Sequence, residues 1–464
     1  MTDLAPDPIE GGGIAGFGAR LRQREITVEQ AVNAYLARIE TLDPKLEAFE
    51  HVAGAQALMS ARTIDEMMAS GTDLGPLMGV CVVLKDLIAA EGMPTTAGSN
   101  VDVTHSIGTE GGFVQRLREA GCIILGKTKT VEFARGAAGI NNIRGTPWNP
   151  WDASIHRIPG GSSSGSAVAI AAGMCGIAIG TDTGGSVRGP AAFCGAFGLK
   201  PTIGLWPLDG VFPNSPTFDT IGPMTRTAED GAIVYSALSG ETVPQLGSFK
   251  GLQIGKPTNH FFDDLDTDVG ACVEAAFGIM ADAGAEVVAV DVPEVAERED
   301  ILKAICAPEC IAGIGLERFR VEKDEMDPIT VARTAPGLDV SAVEYIEAVR
   351  RCRELAEIFA ERFEGFDAWI TPTTTMTAPS VAEVTDLTTG LQLEARLGLN
   401  THPVSFFGLC STTSPIQHLV GARLPIGLQI ICAGGADAKA VSIARALEQR
   451  IGPPPSPNLS GLFG

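Results

Sequence analysis

Five serines sit close enough in this sequence to share a reaction. Ser162, Ser163, Ser164 and Ser166 lie in the run GGSSSGSA at 160–167, and Ser186 lies in GTDTGGSVR at 180–188. Both runs are rich in glycine, which frees a backbone to turn its N–H groups toward a ligand. A hydroxyl beside clustered backbone donors suits acyl transfer: the hydroxyl attacks a carbonyl and the donors hold the developing oxyanion. Ser186 has the plainest arrangement, because Thr183, Gly184 and Gly185 precede it and their N–H groups can turn toward its hydroxyl. The competing reading is a loop serine that closes a turn.

A serine hydroxyl attacks only if a base takes its proton. Histidine is the usual partner, and there are six: His51, His105, His156, His260, His402 and His418. None falls inside either run, so a Ser-His-Asp triad has no local support. None shows HxH or HExxH spacing or pairs with a cysteine as a ligand set, so no metal site is expected. Lys85 is oddly placed, at the end of the apolar run GVCVVLK at 79–85. On composition alone it is expected to reach along the surface to solvent.

The two serine runs continue into PA and GLKPT, some forty residues without a gap, and together they resemble the signature of the amidase signature hydrolases. KD at 85–86 followed by GMPTTAGS at 92–99 resembles that family's second motif. GKTKTVEFA at 126–134 resembles its next block, with Lys129 where the family usually carries Asn. The resemblance implies a Ser-Ser-Lys triad in which Lys85 is the base, Ser162 the relay and Ser186 the nucleophile, with a cis peptide between Gly161 and Ser162. It implies an oxyanion hole from the N–H groups of Thr183, Gly184, Gly185 and Ser186. Ser163 and Asp182 take supporting positions. Arg188 either meets an acidic group of the substrate or holds an internal carboxylate; the second is favoured, since this arginine recurs whatever the substrate. No cofactor is implied.

The elements that must position these groups are partly readable. Thr27 to Gln30 form a capping box that opens an amphipathic helix with Ala31, Ala34, Tyr35, Ile39 and Leu42 on one face. A second helix follows at about 55–68. Residues 79–85 are β-branched and apolar without helical period, a buried strand. A short helix is expected at 111–120 and a strand at 122–125. The central run reads as a loop, a helix at about 164–173, a strand at 176–179 and a second loop at 181–186. Residues 201–230 read as loop-rich, and 240–247 as a linker. A strand-helix-strand pattern spans 251–292, helices 301–319 and 340–363, a strand 366–372, and a last helix about 436–450. Residues 403–408 and 424–431 resemble the family's closing block.

Length alone, 464 residues, suggests two or three domains. The resemblance instead implies one domain over 1–464, with a signature core at about 76–230, a variable, partly helical region at about 240–365 and a closing block at about 366–450. The implied fold class is α/β, a large mixed β-sheet covered by helices on both faces. A net charge of −22 with no basic run disfavours nucleic acid. Ten dispersed cysteines without a CxxC pair suit a reducing, cytoplasmic setting. The longest apolar stretch, 167–180, falls short of a membrane span, and the first residues lack a signal-peptide core.

The expected activity is hydrolysis of a carbon–nitrogen bond in a small amide through an acyl-enzyme, with carbamates, biuret-like compounds and esters open to the same nucleophile. Partners are that substrate and water, and a homodimer is compatible. The alternative is the glutamine-hydrolysing component of a tRNA amidotransferase. Such proteins hold the glutamine amino group with an acid just before the closing proline block, and here 397–403 reads LGLNTHP, without one. Nucleotide binding needs a P-loop or a GxGxxG after a strand, and neither occurs. An inactive scaffold is disfavoured because Lys85, Ser162 and Ser186 are all present.

Overall fold

The computed structural model describes residues 4–385 and 387–463. Eleven strands build one mixed sheet: β1 (Phe49–Val52), β2 (Cys81–Lys85), β3 (Ile123–Thr128), β4 (Ile177–Asp182), β5 (Phe197–Lys200), β6 (Thr220–Thr225), β7 (Gln253–Pro257), β8 (Glu286–Val290), β9 (Ala368–Pro372), β10 (Cys410–Pro415) and β11 (Gly427–Cys432). Their order across the sheet is β1-β3-β2-β4-β6-β5-β10-β11-β9-β7-β8. β2 runs parallel to both β3 and β4, and β7 runs parallel to β8 and β9. Every residue of β2 and β4 is buried, as unbroken apolar runs in the middle of a covered sheet must be.

Local chemistry accounts for the helices. Thr27 Oγ1 accepts the Gln30 N–H at 3.1 Å while Gln30 Oε1 accepts the Thr27 N–H at 2.9 Å, and this capping box starts the helix Val28–Leu46. The strand-helix-strand expected over 251–292 is β7, the helix Thr267–Asp282 and β8.

Several expectations are corrected. The loop read over 181–186 begins later, because β4 runs on through Thr181 and Asp182, pairing with Ile221 and Thr220 of β6. The loop-rich stretch 201–230 contains β6 and opens the helix Ala228–Ser239. β5, β10 and the helix Arg188–Cys194 have no counterpart among the expected elements. The single helix read over 301–319 is broken. A π-helical turn at Leu302–Cys306 follows the helix Arg298–Ile301, and Gly315 at φ +95° separates Ala307–Ile314 from Leu316–Glu322.

Three apolar clusters fill the interior. The largest spans most of the sheet; a second gathers Phe218, Phe359, Trp369 and Phe406, and a third gathers Ile158, Phe193 and Leu397. All ten cysteines are buried and unpaired. No helix among the described residues is long and apolar enough to cross a membrane.

Candidate active site

Parallel pairing of β2 with β4, with Leu84 opposite Ile179, brings Lys85 beside Thr181 where both strands end. That edge of an α/β sheet is where ligands are usually met. Lys85 is 0% exposed, so the expectation that it reaches solvent is corrected. Its Nζ donates to Ser162 Oγ at 2.6 Å and to Thr181 Oγ1 at 2.8 Å. Burial disfavours the ammonium and pulls its pKa down to about 7, although Asp219 and Asp182 pull the other way. A lysine poised there exchanges protons near neutrality.

Ser162 precedes the buried helix Ser164–Ala171. Its carbonyl accepts from the Val131 N–H at 3.1 Å and from Thr130 Oγ1 at 2.9 Å, which leaves the hydroxyl for Lys85. The Gly161–Ser162 peptide is cis, as the resemblance implied. A Cβ on Gly161 would stand 2.5 Å from the Gly136 carbonyl oxygen, so only glycine fits.

Ser186 lies after β4, 9% exposed, in the wall of a cavity. Ser163 ties it to the other run: the Ser163 N–H donates to the Ser186 carbonyl at 3.2 Å, and Ser163 Oγ donates to the Thr181 carbonyl at 3.3 Å. Among the described residues no hydrogen bond joins the Ser162 and Ser186 hydroxyls. Such contacts commonly tighten when substrate arrives.

Asp182 and Arg188 are both 0% exposed and form a buried pair at 2.9 Å. Asp182 also accepts the N–H groups of Gly185 at 2.7 Å and Val187 at 3.1 Å. Burial pushes its carboxyl up, but Arg188, Lys200 and the Val187 N–H together outweigh this and leave the pKa at about 2. Arg188 also donates to Gln429 Oε1 and Ser405 Oγ. It therefore holds an internal carboxylate, the structural of its two readings. The Gly185 N–H is already given to Asp182, which removes one of the four expected oxyanion donors. Among the described residues nothing accepts from the N–H groups of Thr183, Gly184 or Ser186. Thr183 is fixed through its hydroxyl, which donates to Asp219 Oδ1 at 2.5 Å and accepts from Asn214 Nδ2 at 3.0 Å.

The cavity opens where the three apolar clusters meet, with Ala134, Phe406 and Leu397 among its lining. Ser186 shares it with Arg135, Arg333, Asn214 and His402. His402 is the one histidine in that lining and thus the rival base. Arg298 Nη1 lies 3.2 Å from His402 Nδ1. Because a guanidinium only donates, Nδ1 accepts and the ring proton sits on Nε2. Burial, then Arg298, Arg333 and Arg188, hold its pKa well below the usual value. A ring so placed resists taking a second proton.

The structure thus brings together Lys85, Ser162, Ser163, Thr183, Gly184, Gly185 and Ser186, and sets Asp182 and Arg188 behind them. The sequence reading missed Thr181 as a second partner of the lysine, and Arg135, Arg333 and His402 in the cavity. Arg135 carried a signal, a charge inside the otherwise small and apolar FARGAAG at 133–139.

Comparison with known proteins bears on the same residues. A family model described as Amidase matches residues 30–441. A 2-amino-5-chloromuconic acid deaminase of Comamonas testosteroni is 38% identical, over 95% of this chain and 96% of the relative. A component of the glutamyl-tRNA(Gln) amidotransferase of Acidothermus cellulolyticus is 35% identical, over 93% of each. Among solved structures, the native peptide amidase of Stenotrophomonas maltophilia superposes with a TM-score of 0.81 at 29% identity, over 98% of this chain and 100% of that one.

Proposed function

The chain belongs to the amidase family and is an amidohydrolase, and we propose that it cleaves small amides through Lys85, Ser162 and Ser186. Neutral Lys85 takes the Ser162 proton as Ser162 takes that of Ser186. The Ser186 oxygen bonds to the amide carbonyl carbon, and the oxyanion lies against the N–H groups of Thr183, Gly184 and Ser186. The same path returns the proton to the leaving nitrogen as the carbon–nitrogen bond breaks. Water, deprotonated along that path, then attacks the acyl-enzyme and frees the acid.

The observation that carries this reading is the 2.6 Å contact between a fully buried lysine amine and Ser162 Oγ. The test is labelling with a fluorophosphonate: the adduct should map to Ser186 and be absent from Ser186→Ala. Adduct formation elsewhere, or undiminished in that variant, sinks the assignment.

The Acidothermus relative supports a second reading, glutamine hydrolysis within a tRNA amidotransferase. The cavity argues against it. A free amino acid brings an ammonium group, and among the described residues the lining offers arginines and no carboxylate. Under the preferred reading the partners are a small amide and water, with a cytoplasmic setting and one or two copies of the chain as the working form. Light scattering reads the copy number.

A further inference from the structure

Arg135 stands in the cavity wall without a counter-charge. It is 6% exposed, and its Nη2 donates to the Arg333 carbonyl at 2.9 Å. Its Nε is buried with no partner, and no carboxylate pairs with it among the described residues. Its neighbour Arg333 is neutralised: Nη1 meets Glu394 Oε2 at 2.7 Å. Glu394 is directed away from Arg135: it pairs with Arg333 and also accepts the N–H groups of Ala137 and Ala138. Glu309, a half-buried acid nearby, is taken up by Ser215, Thr217 and Tyr345. Among the described residues Arg135 therefore stands beside Ser186 without an ion-pair partner, and the acids around it, Glu132, Asp219 and Glu309, accept from hydroxyl and N–H groups rather than from its guanidinium. A buried guanidinium with unfilled donors is costly unless something fills them.

The backbone supports the same point. Phe133 and Ala134, the two residues before Arg135, both lie in the left-handed region, at φ +50° and +60°. Side-chain-bearing residues rarely adopt it in succession, and such conformations gather where a neighbour must be aimed.

We propose that Arg135 binds a carboxylate of the substrate, so that the preferred substrate is a small amide with an acid group near its scissile carbon–nitrogen bond. The inference rests on the amidohydrolase reading of the cavity. Planar, bidentate donors match a carboxylate, and the neutral His402 ring adds an Nε2–H donor without another charge. The substrate's carboxylate then fills the open donors of Arg135, while its carbonyl meets Ser186.

The test compares succinamate with its neutral counterparts butyramide and succinamide. Wild-type kcat/KM should favour succinamate by about 30-fold or more, the scale of one charge-assisted hydrogen-bonded pair. In Arg135→Gln that ratio should fall to within a few-fold, chiefly through KM, and Arg135→Lys should restore part of it. A wild-type ratio near one overturns the proposal, and so does a ratio unchanged in Arg135→Gln. Should Arg135→Gln fail to fold by circular dichroism, the wild-type ratio and Arg135→Lys decide. Calorimetric binding of succinate to Ser186→Ala separates this proposal from the reading beneath it. Succinate binding that weakens at least tenfold in Ser186→Ala/Arg135→Lys upholds the carboxylate site even if amide turnover fails. No succinate binding to Ser186→Ala overturns the site even if amides are hydrolysed.

Discussion

Ser163 donates its backbone N–H to the carbonyl of Ser186 at 3.2 Å, tying the two serine runs together one residue away from the Ser162 hydroxyl. The tie uses main-chain atoms, so it survives changes of side chain. Ser163→Ala removes only the Oγ contacts with Thr181, at 3.3 and 3.4 Å. We expect a loss of about 1 kcal/mol in unfolding free energy and at most about a tenfold fall in kcat. A thousandfold fall would place the Ser163 hydroxyl in the chemistry itself.

Ser186→Ala and Lys85→Met should each lower kcat by about 10³-fold or more, since groups of one proton path act as a unit. Their combination should cost scarcely more than either alone. Additive losses, read in a double-mutant cycle, would mean that the two residues act independently.

The pH profile follows from the lysine. Only its neutral form accepts a proton, so kcat/KM for a neutral amide should rise with pH through about 7 and level off above it. Stability should move the same way. Unfolded lysine holds its proton to about pH 10, whereas folded Lys85 releases it near 7. Between those values the unfolded chain binds more protons, so unfolding free energy rises with pH, by up to about 1.4 kcal/mol per unit. Below 7 that contribution is absent. Denaturant titrations of wild type and Lys85→Met should diverge across this window, and parallel curves would contradict a buried neutral amine.

His402→Gln separates the two candidate bases. If Lys85 is the base, the rise in kcat/KM near pH 7 stays in place, whatever happens to its height. Loss of that limb in His402→Gln, with its retention in Lys85→Met, would transfer the role to the histidine.

Arg188→Met leaves Asp182 as an uncompensated buried charge and should cost about 3–5 kcal/mol. Arg188→Lys should recover little, because a point charge cannot reach Asp182, Gln429 and Ser405 together. Urea midpoints read this directly; a shift under about 1 kcal/mol would mean that the pair is not what braces the loop.

Local runs show in the sequence where candidate groups sit, while the burial of Lys85 was implied only by the family resemblance. Lys85 ends an apolar strand, the serines crowd two glycine-rich runs, and the capping box at Thr27 declares its helix. What escaped depends on partners distant in the chain. Thr181 and Asp182 look like loop residues after Gly180, yet β6, some forty residues on, pairs with them and extends β4. β5 and β10 lack alternation because both of their faces are buried. Arg135, Arg333 and His402 meet only through the fold, and nothing within about ten residues of any one of them announces the other two. Gly185 shows the limit of motif reasoning: its residue type fits an oxyanion loop, but its N–H belongs to Asp182.

The cavity is assembled mainly from two separate stretches of chain, with Asn214 between them in sequence. Residues 134–189 supply one part of the lining, Ser186 included, and residues 302–406 supply most of the rest. A change of selectivity can therefore enter from either stretch: at Arg135 beside the serine, or across from it at Arg333 and His402.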